Sequence, residues 1–440
     1  MRLPAGRTRA LPCRGKDAHL RGTVNAACLF LASALLLSAC SAPSGNVRVN
    51  GAGAEGDATL RVGLILDNTG SGTFLNAAQI AAARLAIQEV NAAGGHKGRN
   101  VELLPSTLSQ DTAAQARALV DAKADVVIGP TDSSRAPAAV DVLARAKIAV
   151  ISPANTAAGL SSYNSAGFYF RTAASDVAQG GVLAALAGSS GAKRIAILRE
   201  GGSYGKDVGG ATKSALAGAG AETVADVEFT PGKATAAVDR VKAATPDAVV
   251  LVARQGAQGA LAELNNAGLS GSKILLSDGA VRQYGAELGS GALNGARGVM
   301  PGVFPSADFQ NRLVAIDPGL KDMTFAAETY DAVNLAAIAA AAAQDDAGSS
   351  IAAWLTTISG GSVNQAVAGT SPQSPRTACA TYKECLSVLS SGGTPDYEGQ
   401  SGPINFDDHG DITSASYMVF TYAGDNKASL TGTRSVGKNG

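Results

Sequence analysis

DVVIGPTDSS, residues 125–134, sets the apolar run Val126-Val127-Ile128 against a Gly129-Pro130 break and then a cluster of hydroxyl and carboxylate side chains. A short β-branched run bounded by Gly-Pro reads as a strand buried on both faces, because nothing in it is polar enough to face water. Aspartate and serines directly ahead of the alanine-rich segment Ala136–Ala146 read as the start of a helix. The unit is strand, polar loop, helix.

The same unit recurs on either side. Strand candidates are Leu60–Leu66 (LRVGLIL), Val101–Pro105, Ile148–Ser152 (IAVIS) and Phe168–Arg171. Between them Asn76–Ala92 carries Ile80, Arg84 and Ile87 on one stripe, with Leu85 and Val90 beside it and Gly94-Gly95 to stop it, and Thr112–Ala122 is similar. A second set follows: Arg194–Arg199 (RIAILR), Thr223–Phe229, Asp247–Ala253 (DAVVLVA), Lys273–Ser277 (KILLS) and Gly298–Val303. Helices at Gly205–Ala219, Ala234–Thr245 and Gln258–Ala267 separate these strands. Apolar strands alternating with helices predict an α/β protein with two doubly wound parallel sheets in tandem. Beyond Val303 the pattern changes to a long helix, Phe325–Ala343, a shorter one, Ile351–Ile358, and a Gly/Ser/Pro-rich stretch to about Gly399. Pro403–Phe406 and Ser416–Tyr422 read as closing strands, and the polar end of the chain as a frayed tail.

The 440 residues are 46% apolar and 16% charged, enough apolar material for large cores, which excludes a disordered chain. The formal net charge is zero, but residues 1–39 carry six bases and one acid, so the rest of the chain carries five net negative charges. That balance argues against nucleic acid as a partner. Val24–Ala39, VNAACLFLASALLLSA, is apolar, follows a basic segment and is shorter than a bilayer span. It reads as a signal peptide over 1–39. Leu37-Ser38-Ala39-Cys40 resembles the lipobox of bacterial lipoproteins, which implies lipidation at Cys40 and attachment to the membrane through lipid alone, with the chain on the outer face of the cytoplasmic membrane. Residues 40–58 then read as a flexible tether. Cys379 and Cys385, in CATYKEC, remain as a pair that most simply forms a disulfide in an exported protein. His96 and His409 stand near no second ligand motif, so no metal is expected.

Ligands of open α/β sheets sit at the carboxyl ends of strands. Four loops there carry candidate binding residues. Ser133 and Ser134 follow the Asp125–Gly129 strand, and Asn155 and Thr156 follow Ile148–Ser152. Hydroxyls and backbone N–H groups at a helix start receive a carboxylate, although the same residues also serve to cap their own helices. In the second unit Tyr204 follows RIAILR and Asp278 follows KILLS. A tyrosine ring there covers a ligand or packs an interface; an aspartate takes a cationic group or shapes a turn. Gly70-Ser71-Gly72 after the first strand lacks the third glycine of a dinucleotide fingerprint, Leu75 standing in its place, and no acid–base pair is evident. A nucleotide-dependent enzyme is therefore disfavoured and no cofactor is expected.

Ordered along the chain, these segments resemble the type I periplasmic binding proteins, specifically the branched-chain amino-acid (leucine/isoleucine/valine) group of ABC transporters. The matches are Arg61–Gly72, Asn91-Ala92-Ala93-Gly94-Gly95 with Gly98, Gly129–Ser134, Ser152–Thr156, Phe170-Arg171-Thr172 with Asp176, Tyr204-Gly205-Lys206-Asp207, Tyr330-Asp331-Ala332-Val333 and Gly402–Asp411. The resemblance spans about Leu60 to Tyr422. It implies two lobes joined by a three-strand hinge near Thr172–Asp176, Pro301–Pro305 and Gly399–Pro403. Lobe 1 would comprise 59–174 and 304–400, lobe 2 175–303 and 401–424, with a tail at 425–440. It also implies a small ligand, an amino acid, with its carboxylate at Ser133 or Ser134, Asn155 and Thr156, its amine at Asp278 and Tyr204 as cover. The expected partners are ABC permease subunits, with the chain itself a monomer; a ligand-sensing lipoprotein of the same fold is the alternative. Two positions depart from the group: Leu75, with Phe74 beside it, where an aromatic residue is frequent, and Ala253-Arg254-Gln255-Gly256 where a tyrosine is frequent.

Overall fold

The structure, a computed structural model, describes residues 48–49, 55–69, 72–361 and 376–437. The segment expected to be a signal peptide, Cys40 and most of the expected tether lie outside them. In chain order the first sheet takes β1 (Arg61–Leu64), α1 (Phe74–Ala92), β2 (Glu102–Leu103), α2 (Thr112–Asp121), β3 (Val126–Ile128), α3 (Ala136–Arg145), β4 (Ala149–Ser152) and β5 (Tyr169–Arg171). The second takes α4 (Asp176–Ser189), β6 (Arg194–Glu200), α5 (Ser203–Gly218), β7 (Glu222–Phe229), α6 (Thr235–Ala243), β8 (Ala248–Val252), α7 (Ala257–Asn266), β9 (Ile274–Leu276) and β10 (Arg297–Pro301). There follow α8 (Ala307–Ile316), α9 (Ala326–Ala343), α10 (Gly348–Ile358), β11 (Arg376–Cys379), α11 (Tyr382–Ser390), β12 (Thr394–Gly399), β13 (Gly402–Pro403), β14 (Ser414–Tyr422) and β15 (Ala428–Gly437).

The first sheet is parallel, in the order β2-β1-β3-β4-β5. The second runs β15-β14-β10-β9-β8-β6-β7, parallel from β10 to β7 and antiparallel at β14 and β15. Strands β3, β4 and β8 are buried at every residue, as their unbroken apolar runs require. One face of the first sheet packs on α1, α9 and α10 through Leu85, Leu335 and Ile351; the other packs on α2 and α3 through Leu119 and Leu143. The second sheet has its own cores around Leu251 and Leu264 on one face and Ile197 and Leu183 on the other. The fold is thus two α/β lobes.

Several features differ from the sequence reading. Helix α4 went unread because DVAQGGVLAALAGS carries internal glycines. Gly180 is the reason it packs: a Cβ there would lie 2.4 Å from Thr212 N and 2.6 Å from Ala211 Cβ on α5, so glycine sets the close approach of the two helices rather than ending one. Helix α8 starts at the Ser306 cap, whose hydroxyl accepts from Phe309 N at 3.2 Å. Helix α11 starts at Thr381, whose hydroxyl accepts from Glu384 N while the Glu384 carboxylate accepts from Ala380 N at 2.8 Å. Cys379 and Cys385 are joined by a disulfide across that start. The end of the chain expected to fray forms β15, paired with β14 from Ala428 to Gly437. The segment read as a flexible tether is bonded to the body where it is described: Arg48 donates to Tyr169 O at 2.9 Å, and Gly56 N and Ala58 N donate to the Asp345 and Asp346 carboxylates.

The chain passes between the lobes after β5, after β10 and again before β14. The last passage falls later than Gly399–Pro403. Ile404 and Phe406 belong to the first lobe's core, and Arg171 N donates to Gly410 O at 3.0 Å while the buried Arg171 guanidinium pairs with Asp411 at 2.7 Å. Ile412, packed against the cores of both lobes, marks the changeover. The first two passages are tied to neighbouring elements: Thr172 Oγ1 donates to Glu328 O in α9, and Gly302 N and Ser175 O bond β14 at Ser416 O and Tyr417 OH.

Candidate functional site

Between the carboxyl ends of the two sheets lies a cleft with a cavity volume of about 940 Å³, lined from one lobe by Asp67, Ser133 and Thr156 and from the other by Arg254, Asp278 and Gly279. Each of these residues sits just after a strand, at β1, β3, β4, β8 or β9. The sheet topology therefore delivers five strand-end loops, far apart in sequence, to one gap.

On the first lobe the loops after β3 and β4 are knitted together. Gly129 has φ +119, and a Cβ there would lie 2.5 Å from Ile65 O, so only glycine lets the β3 loop lie against β1. Ser152 Oγ donates to Pro130 O at 2.7 Å and accepts from Asn155 N at 3.0 Å. Asn155 is fully buried: its amide donates to Thr131 O at 3.0 Å and accepts from Tyr169 OH at 3.2 Å. It ties the two loops and does not line the cleft, which corrects its expected place at the ligand. Ser134 is turned out as well, its N–H and hydroxyl both on Asp132 Oδ1 at 2.8 and 2.7 Å. Ser133 and Thr156 do line the cleft. Ser133 Oγ accepts from Thr156 N at 3.1 Å and Ala157 N at 3.4 Å.

The backbone donors expected to be open to a ligand are largely engaged. Thr131 N and Asp132 N donate to the Asp67 carboxylate at 3.0 and 3.2 Å. Asp67 follows β1 directly, and its burial raises its pKa despite those N–H groups. The sequence held a signal for it, an aspartate ending the apolar run LRVGLIL, but no neighbour marked which loop it would cap.

On the second lobe Tyr204 is buried beneath the cleft rather than lining it. Its hydroxyl donates to Asp278 Oδ1, which also accepts from Gln179 Nε2 at 2.9 Å. The second Asp278 oxygen carries no hydrogen bond among the described residues. Burial, then the charge of Asp278, push the Tyr204 phenol well above its ordinary pKa. The Arg254 guanidinium lies 3.9 Å above the Tyr204 ring and donates from Nη2 to Thr156 Oγ1 at 3.3 Å, across the cleft. Tyr204 therefore covers an arginine, where the sequence reading had it cover a ligand. Burial alone would lower the pKa of Arg254; Asp278, Tyr204, Asp176 and Glu200 outweigh it and hold the guanidinium above its usual value. Asp176, at the start of α4, is buried close by, and burial followed by the Asp278 charge raises it to about 6.

A further wall was not anticipated. Phe74, 52% exposed, and Phe304, 61% exposed, face the cleft together with Met300, Met418 and Phe420. Glu328, at the start of α9, lines the same end, and burial raises it to about 7. Apart from Phe74, beside Leu75 after the first strand, these residues lie within or after β10, in β14 or at the start of α9, away from the strand-end loops read from the sequence.

A two-lobed α/β body with polar strand-end loops opposed across one gap defines a protein that captures a solute between its halves. Residues 59–374 match the family model of periplasmic binding proteins, and the chain belongs to that family. The fold is shared with the branched-chain amino-acid transporter substrate-binding protein LivJ of Streptococcus pneumoniae in complex with isoleucine, at 21% identity over 86% of this chain and 99% of that one, with a TM-score of 0.61. It is shared with the leucine-binding protein LivK of Thermotoga maritima, at 19% identity over 85% and 98% of the two chains, TM-score 0.63. A solute-binding protein of an R. palustris ABC transporter, in complex with benzoate, aligns at 18% identity over 86% and 98%, TM-score 0.59. At these identities the likeness is one of fold. No curated protein matches the sequence.

Proposed function

We propose that this chain is the extracytoplasmic solute-binding component of an ABC importer, with a small polar organic acid, an amino acid or an aromatic acid, as its ligand. The observation that carries this reading is the cleft itself: Ser133 and Thr156 on one lobe face Arg254 and Asp278 on the other, with the Phe74 and Phe304 wall beside them. Charged and hydroxyl groups share a gap of about 940 Å³ with apolar side chains, the first suited to an acid or amine and the second to a side group. The solved proteins of this fold named above, with isoleucine and with benzoate, support both ligand classes. Family membership supports a binding protein without catalytic chemistry. The signal segment 1–39 and Cys40 support export and a lipid anchor on the outer face of the cytoplasmic membrane, beside the permease.

Binding contacts to both lobes exist together only when the lobes approach, so the ligand shifts the population toward the closed form. The test is a thermal-shift screen of the purified chain against amino acids, aromatic acids, their amides, polyamines and sugars. A ligand at about a hundred times its Kd stabilises by roughly 2.7 kcal/mol and raises the melting temperature measurably. A folded chain that no member of the screen shifts sinks this reading.

A further inference from the structure

The geometry points to Arg254 as the receptor of the ligand's carboxylate, so that the acid end of the solute docks on the second lobe and not on the serine and threonine loops of the first. This deepens the solute-binding reading and rests on it.

The serine and threonine loops of the first lobe have few donors left. Thr131 N and Asp132 N are on Asp67, Ser134 N is on Asp132, Ala154 N and Asn155 N are on Ser152 Oγ, and Thr156 N and Ala157 N are on Ser133 Oγ. Of residues 131–134 the Ser133 N–H alone has no partner among the described residues. Arg135, which also reaches the cleft, is bound to Asp67 O at 3.0 Å and paired with Asp132 at 3.5 Å. A carboxylate entering here meets Asp67 and Asp132 as like charges.

Arg254 is in the opposite state. It forms no ion pair among the described residues, and of the five N–H donors of a guanidinium only one, on Nη2, has a protein partner. Its position is nonetheless built. The Glu200 carboxylate accepts from both Arg254 N and Gln255 N at 2.8 Å, fixing the turn that carries it. Gly279 clears its path, since a Cβ there would lie 2.4 Å from Arg254 Cγ. The Tyr204 ring supports the guanidinium plane from below. A planar fork held in place with donors to spare is suited to a bidentate carboxylate. Asp278, with one free oxygen, follows β9, the strand next to β8 that delivers Arg254, so an α-ammonium group on the same ligand finds its partner one strand over.

The test uses matched acid and amide probes, benzoate with benzamide and L-phenylalanine with its amide, within a panel of the common amino acids, polyamines and sugars. Binding to the purified chain is measured by calorimetry for wild type, Arg254→Ala and Arg254→Lys. A carboxylate is expected to bind the wild type and its amide far more weakly. Arg254→Ala should weaken the acid by about 10- to 100-fold and leave the amide unchanged, which a general loss of packing would not do. Arg254→Lys should fall between. Unchanged or tighter binding of the acid by Arg254→Ala overturns the assignment. Binding of amines or sugars with every carboxylate silent overturns it too, while the solute-binding reading stands. Silence from the whole panel, with the protein folded, counts against both.

Discussion

Asp278 and Glu328 are both carboxylates at the cleft, and their surroundings give them opposite work. Asp278 is half-buried, with one oxygen held by Tyr204 and Gln179 and the other turned to the cleft. Asp278→Asn keeps an acceptor for those two donors and removes the charge. It is expected to weaken an amine-bearing ligand by about 10- to 100-fold in calorimetry, with little change in melting temperature. Equal affinity in the variant would remove Asp278 from the amine site. Glu328 is 7% exposed and raised by burial from 4.5 to about 7. A carboxyl raised on folding favours the protonated native state, so its contribution is full below pH 4.5 and is lost as pH rises through about 7. Glu328→Gln removes the titration. The stability of the variant relative to wild type should therefore grow by about 3 kcal/mol between pH 4 and pH 8, measured by urea unfolding at both values. Parallel pH curves for the two chains would contradict this origin of the shift. The candidate residues themselves were only half legible. Ser133 and Thr156, read from hydroxyls after a strand, line the cleft, whereas Asn155 and Ser134, polar residues one position away, do not. Which of two neighbours faces the gap depends on how the loops knit together through Ser152, Tyr169 and the distant Asp67, and that pairing is not written in either loop alone.

At the scale of elements the apolar strands were readable because burial on both faces leaves an unbroken run, as in Val126–Ile128 and Ala248–Val252. What escaped was whatever broke a local rule for a tertiary reason. Gly180 looks like a helix breaker and is a helix contact. The segment after Tyr422 looks like a frayed tail, and its strand exists because β14 offers it an edge. Asp331 reads as a helix residue, yet its buried carboxylate accepts from Tyr397 OH, Gln400 N and Ser401 N at 2.7 to 2.8 Å and so fixes the turn between β12 and β13. Gly180→Ala tests the first of these. A methyl 2.4 Å from Thr212 N must push α4 and α5 apart, costing about 1–3 kcal/mol by overpacking, against the gain of several tenths that alanine brings to a solvent-facing helix position. A lower urea midpoint with an unchanged slope is the expected result; a stabilised variant would mean that the helices separate freely.

At the scale of the molecule the two lobes hold separate cores, and the passages at Thr172–Ser175, Gly302–Pro305 and Ile412–Thr413 carry the chain between them. Away from those passages, the Arg254–Thr156 hydrogen bond spans the cleft, and a single bond of that kind is worth about 1.5–3 kcal/mol at most. Moving a two-state equilibrium from 1:99 to 99:1 takes about 5.5 kcal/mol of differential affinity, more than that one contact supplies. A bound solute must therefore bring the remainder, by touching Ser133 and Thr156 on one side and Arg254 and Asp278 on the other at the same time. Small-angle scattering should register a smaller radius of gyration when the wild type is saturated with its ligand, and Arg254→Ala should lose affinity and compaction together. If the radius contracts fully in that variant once it is saturated, closure draws its energy from elsewhere in the protein; if the wild type binds tightly with no contraction, the lobes are already together and the cleft acts as a fixed pocket.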